Sequence, residues 1–228
     1  MGILTSIVGF SGTGKSRSFK TLLKDDLTLR DDTVIIRSLA KPLPFKNKLK
    51  KWDKERQTGD YLIADDGYLI AKAIEAFDKK GKKIIIVDDS TFVMVKYFMD
   101  TAKDRGFDKF TDLAKQYYEI LKSAEKTSED TRVYIINHLE ETNLGRLTFK
   151  TIGKLISEKV DIPAMMTVVL QSEKNDEGYW FLTNKRNESD VAKSPEEMFY
   201  NLLIPNDLNL VDSKICEYYG IDREPTKK

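Results

Sequence analysis

The chain has 228 residues, 40% of them hydrophobic, with 38 basic and 37 acidic residues for a net charge of +1, and a single cysteine, Cys216. This size suits one α/β domain spanning 1–228 and is cramped for two, while the balanced charge removes any global attraction to nucleic acid or membrane. One cysteine excludes an internal disulfide, and no apolar run approaches the ~18 residues of a membrane span, so a soluble protein of a reducing, cytoplasmic compartment is expected.

The first predicted element is a buried strand, ILTSIV from Ile3. It runs into GFSGTGKS, Gly9 to Ser16, which matches the pattern G-x-x-x-x-G-K-[ST] in the strand-to-helix setting that gives the pattern meaning. Glycines 9, 12 and 14 let the backbone turn its N–H groups toward phosphate oxygens, and a helix beginning near Lys15 would add its positive end. Lys15 is expected to reach β and γ phosphates and the Ser16 hydroxyl to bind Mg²⁺. The nucleotide-contacting set is therefore Gly9, Phe10, Ser11, Gly12, Thr13, Gly14, Lys15, Ser16 and Arg17.

A second strand, TVIIRS from Thr33, is followed by KPLPFKNKLKKWDKER, Lys41 to Arg56, with seven basic residues, Phe45 and Trp52. Cations for phosphates and aromatics for stacking are what a single-strand groove uses; a solvated helix face with two anchoring aromatics accounts for them equally. Asp65 and Asp66, candidates for an acidic role in the site, precede a helical stripe of Ile70, Ile74 and Phe77 and read more readily as its cap. In KIIIVDDS, from Lys83, Asp88 ends an apolar strand where a carboxylate can hold Mg²⁺ through its water shell. Asp89 either orients and deprotonates an attacking water or caps the helix beginning STFVMV.

A longer helical stripe, Phe110, Leu113, Tyr117, Ile120 and Leu121, leads to the strand RVYIIN from Arg132. Beyond it Asn137 and the only histidine, His138, would touch a γ-phosphate or its water, and Glu140 and Glu141 follow as further acidic candidates. GRLTFKTIGKLISEK then supplies Arg146, Lys150 and Lys154. MTVVLQSEKNDEGYWFLT, from Met166, reads as two strands around an Asn-Asp-Glu-Gly turn, an antiparallel hairpin at a sheet edge. From about 195 short helices and a basic tail are expected. Alternating strands and helices argue for a doubly wound, mainly parallel sheet with its ligand site at the carboxyl ends of the strands.

GFSGTGKS, IIIVDDS, YIINHLEE, FKTIGKLISEKV and VAKSPEEMF, in that order, resemble the RecA-like P-loop ATPases of bacteriophages, over most of the chain. The resemblance implies a P-loop NTPase fold whose Asn137 strand lies between the glycine-loop strand and the Asp88 strand, and an Mg²⁺-dependent ATPase. It also implies a homo-oligomer, ring or filament, in which a neighbour supplies a basic residue. Lys193 resembles that lysine; Lys185 and Arg186 are its rivals. Some members of the group are similar to phage recombinases that work beside annealing and single-strand-binding proteins, so single-stranded DNA is an expected partner, the stretch from Arg146 to Lys154 a second DNA-facing segment, and the host cytoplasm the expected location. RecA-like relatives commonly carry a catalytic glutamate after an earlier strand, and no glutamate here matches it. Two other readings stay open. A small-molecule kinase would need an arginine-rich lid, and Arg105, Arg132, Arg146, Arg186 and Arg223 are scattered; a nucleotide-switched adaptor would bind without turnover.

Overall fold

The computed structural model describes residues 1–106 and 108–223, excepting the Lys154 side chain. Among these residues nine strands form one sheet. In chain order they are β1 (Ile3–Gly9), β2 (Thr33–Arg37), β3 (Tyr61–Ile63), β4 (Ile84–Asp88), β5 (Arg132–Glu141), β6 (Leu147–Phe149), β7 (Val168–Asn175), β8 (Gly178–Leu182) and β9 (Leu203–Pro205). Their spatial order is β3-β2-β4-β5-β1-β7-β8-β9, with β6 paired to the far end of β5. The first six in that order are mutually parallel; β8, β9 and β6 pair antiparallel. The strand carrying Asn137 and His138 thus lies between the glycine-loop strand and the Asp88 strand.

The central strands are buried on both faces, which is why they read as unbroken Ile/Val runs. Alternation divides them between two cores. Leu4, Val8, Ile85, Val87, Val133 and Ile135 face helices α1 (Gly67–Lys79), α2 (Thr91–Asp100), α3 (Asp108–Glu125), α4 (Lys154–Lys159) and α5 (Ile162–Met165). Ile3, Ile7, Ile84, Ile86, Tyr134 and Ile136 face the opposite side, covered by α6 (Leu208–Tyr219), Phe19 and Leu22. Asp66 caps α1 by accepting from Leu69 N–H, and Asp207 caps α6 through Leu210 N–H. Gly67 abuts the Gln116 backbone so closely that a Cβ would lie 2.6 Å from its carbonyl oxygen, so α1 and α3 can meet only through glycine there.

Three expected features differ. No α-helix starts at Lys15: a short 3₁₀ turn spans Ser18–Leu22 and ends where Leu23 turns extended. The Ser18 hydroxyl donates to the Lys15 carbonyl and the Thr21 hydroxyl to the Ser18 carbonyl, while Asp26 closes an Asx turn with Thr28 N–H, so side chains take the partners that helix propagation needs. The β7–β8 hairpin is present but is not the edge, because β9 pairs with β8. The segment after 195 supplies that strand and a three-turn helix; the basic tail at 224–228 lies outside the described residues. No helix among the described residues is long and apolar enough to cross a membrane.

Candidate functional site

Parallel strands in register bring their carboxyl ends to one rim. Gly9 stands level with His138 and Arg37 with Asp88. A cleft of about 400 Å³ opens there, lined among others by Gly12, Lys15, Ser16, Lys41, Asp89 and His138.

The loop from Gly9 to Ser16 turns sharply. Gly12 (φ 81°) and Gly14 (φ 95°) occupy backbone conformations that favour glycine, and a Cβ on Gly14 would lie 2.6 Å from the Tyr179 ring. A Cβ on Gly12 would meet nothing within 4 Å, so this side of the loop is bare backbone facing the cleft. The Thr13 hydroxyl ties back to the Phe10 carbonyl, and Ser172 on β7 donates to the Thr13 carbonyl, so the turn is braced from within and from the neighbouring strand. Lys15 Nζ donates to the carbonyls of Gly9 (2.9 Å) and Phe10 (2.7 Å). Burial lowers its pKa to about 8, against the opposing pull of Asp89 and Asp88. The exposed Arg17 lays its guanidinium over the Tyr179 ring, 4.7 Å from the centroid.

Ser16 Oγ–H donates to Asp88 Oδ1 at 2.8 Å. Burial, and then the charge of Asp89, push the Asp88 pKa up to about 6. One hydroxyl and one desolvated carboxylate meeting at a point fit Mg²⁺, which takes few protein oxygens and keeps several waters.

Asp89 adopts φ 58°, a left-handed conformation that costs a non-glycine residue roughly 1–2 kcal/mol. The capping alternative is not realised: Ser90 holds the N-cap position of α2, and the Asp89 carboxylate turns into the cleft. Its Oδ1 lies 3.2 Å from His138 Nε2 and its Oδ2 pairs with Lys41 Nζ. Burial works to raise its pKa, but the hydrogen bonds from His138 and Lys41 prevail and hold it below the usual carboxylate value. His138 is itself fixed, with its backbone N–H donating to Thr91 Oγ1 (3.1 Å) and its ring edge-on to that of Phe92, centroids 5.6 Å apart.

Asn137 does not line this cleft, contrary to the sequence-based expectation. Adjacent strand residues point to opposite faces, and where His138 faces the cleft Asn137 enters a buried polar knot. Its Nδ2 donates to Ser6 Oγ (2.8 Å), and its Oδ1 accepts from Ser90 Oγ (2.7 Å) and Tyr117 Oη. It positions the junction between β4 and α2 rather than a phosphate.

Of the three candidates for a neighbour's cation, Lys193 pairs through its backbone with Val169 and lies away from the cleft lining, and Lys185 is exposed beyond β8. Arg186 is held by Glu173 and Asp190. Asp65 approaches Lys96 at 3.7 Å, and Glu140 and Glu141 sit where β5 pairs with β6; none of the three lines the cleft.

The basic stretch from Lys41 is neither a groove with stacking aromatics nor a helix. It is an extended strap in which Leu43, Phe45 and Leu49 turn inward and Lys46, Lys48 and Lys50 outward. Phe45 packs edge-on against Phe19 at 6.1 Å and Trp52 against Phe77 at 4.7 Å, so both rings are half-buried against the cores. Arg146 sits at the tip of the β5–β6 hairpin beside Leu144, which is 84% exposed; Lys150 is exposed just beyond, and the Lys154 side chain lies outside the described residues.

Besides Pro42 and Pro44, two cleft residues with polar groups, Lys41 and Tyr179, escaped the sequence reading of the site. Lys41 follows the carboxyl end of a parallel strand, a position that itself marks it as a candidate. Tyr179 carries no such signal, since only the pairing of β7 with β8 brings it to Gly14. No protein-family model matches this chain, and no curated protein is similar to it at a significant level.

Proposed function

We propose that the chain is a P-loop NTPase of the RecA-like kind, an Mg²⁺-dependent ATPase that works as a homo-oligomer with single-stranded DNA, beside an annealing or single-strand-binding protein, in phage recombination or replication. The observation that carries the enzymatic part is the convergence in one cleft of the bare glycine loop, Lys15, the Ser16–Asp88 pair and the Asp89–His138 pair. The loop N–H groups and Lys15 would hold the phosphates. Ser16 and Asp88 would hold Mg²⁺, whose contribution when bound is neutralisation of phosphate charge. Asp89, oriented by His138, would accept a proton from a water whose oxygen bonds the γ-phosphorus as the bond to the β–γ bridging oxygen breaks, and ADP would leave with that electron pair.

The kinase reading gains no support from the arginines. Arg132 and Arg223 are bound to Asp212 and Arg186 to Glu173 and Asp190. The DNA part rests on the resemblance and on the outward row Lys46, Lys48 and Lys50, which form no ion pairs among the described residues and suit phosphates alone. Purified protein assayed for ATP hydrolysis with and without single-stranded DNA, across protein concentration, tests all parts together. Turnover that rises with DNA and cooperatively with protein is expected; turnover indifferent to both would leave a solitary ATPase, and none at all would leave the switched adaptor.

A further inference from the structure

Three cations line the cleft among the described residues: Lys15 and Arg17, which belong to the glycine loop, and Lys41, which does not. Lys41 lies four residues past the end of β2, at the start of the strap, where it pairs with Asp89 Oδ2 while His138 occupies Oδ1. Oδ2 is closed off from solvent with this ammonium as its ionic partner, so a water can use that oxygen as a base only if Lys41 moves aside. His138 is held through its backbone by Thr91 and along its ring by Phe92. The Lys41 side chain is 51% exposed, on a long flexible stem, between Pro42 and the glycine loop.

We propose that Lys41 exchanges between two anions of the same chain, the Asp89 carboxylate before nucleotide binds and the terminal phosphate of the bound triphosphate afterwards. This rests on the ATPase reading and deepens it: Lys41 is then a catalytic residue acting in cis, in the role that the resemblance assigns to a neighbour's lysine. A triphosphate carries more negative charge than one carboxylate and so competes with it for the same ammonium. Its departure releases Asp89 Oδ2 to accept the water proton, while its arrival offsets charge on the γ-phosphoryl oxygens as the bond to the bridging oxygen breaks. A diphosphate lacks the γ-phosphoryl group that would draw Lys41 across, so Asp89 stays occupied and the site distinguishes the two nucleotides.

The test compares wild type, Lys41→Ala, Lys41→Met and Lys41→Arg for binding of ADP and of the slowly hydrolysed analogue ATPγS, and for ATP turnover, with thermal melting as the check on folding. Lys41→Met keeps the stem on the strap, so it answers the question should Lys41→Ala unfold. Expected is a loss of at least about tenfold in ATPγS affinity with ADP affinity within about twofold, and a fall in kcat of about a hundredfold or more. Lys41→Arg should retain most of both. Turnover and triphosphate preference unchanged in Lys41→Met would overturn the proposal while leaving the ATPase reading intact; failure of wild type to bind either nucleotide would end both. Mixing Lys41→Met with Lys15→Ala protein separates cis from trans: no recovery of turnover is expected, and recovery would show that a neighbour's Lys41 serves the site.

Discussion

Asp88 and Lys15 are charged groups that the fold holds at a cost. The folded Asp88 pKa, about 6, exceeds its ordinary value, so between about pH 4 and 6 the folded chain binds a proton that the unfolded chain has lost, and stability falls as pH rises through that window. Lys15, lowered to about 8, is the converse: from about pH 8 to 10 the unfolded chain holds the extra proton, and stability rises with pH. Between the two windows each group costs on the order of 3 kcal/mol, which ligands of opposite charge would offset. Asp88→Asn is accordingly expected to raise the melting temperature of the nucleotide-free protein by a few degrees at pH 7 and to flatten its dependence on pH between 4 and 6, read by thermal denaturation across buffers. Asn137→Ala is a contrasting case. It leaves the hydroxyls of Ser6, Ser90 and Tyr117 short of a buried partner, so a stability loss of about 2–3 kcal/mol is expected, with nucleotide affinity within about twofold of wild type by equilibrium titration.

At the scale of elements, the strap from Lys41 to Trp52 is the segment whose composition was most open to two readings. Its alternation of apolar and lysine residues is a period of two, and the structure resolves the pattern by laying it extended across Phe19 and on to the start of β3. Trp52 anchors its far end on Phe77, and Trp52→Ala is expected to cost about 2–3 kcal/mol in denaturant unfolding, somewhat below a fully buried tryptophan because the ring is half-buried. The outward lysines answer to a different measurement. Replacing Lys46, Lys48 and Lys50 by alanine should weaken single-stranded DNA binding and reduce the slope of log affinity against log salt by about 2, whereas a slope equal to that of wild type would remove this face from the DNA reading.

At the scale of the molecule, the rim opposite the cleft is closed by a buried ionic knot. Asp212 on α6 accepts from Arg132 Nε (2.9 Å) and Nη2 (3.2 Å), Tyr134 Oη (2.8 Å) and Arg223 Nε (2.9 Å), joining the helix to the first residue of β5. Asp212→Ala would leave two guanidinium groups without their carboxylate, and a loss of about 3–5 kcal/mol is expected in chemical denaturation. Because the cleft lies at the other end of the strands, nucleotide affinity well below the melting temperature should be unaffected.

Much of this arrangement was legible in the residues. The runs ILTSIV, TVIIRS, KIIIVD, RVYIIN and MTVVLQ announce strands because a strand buried on both faces needs unbroken apolar, β-branched sequence, and the spacing of Ile70, Ile74 and Phe77 announces α1 because one helical face must be apolar. GFSGTGKS located the loop, and KIIIVDDS its acidic counterpart, since both lie at strand ends that a parallel sheet gathers on one rim. Three-residue strands such as β3 and β6 were silent, being too short for periodicity and formed by pairing alone. Only the tertiary structure decided which way Asn137 and His138 turn, because one residue of register sends a side chain to the opposite face. It alone placed Lys41 on Asp89, Tyr179 against Gly14 and Phe45 on Phe19, contacts between residues far apart in the chain that no local pattern encodes.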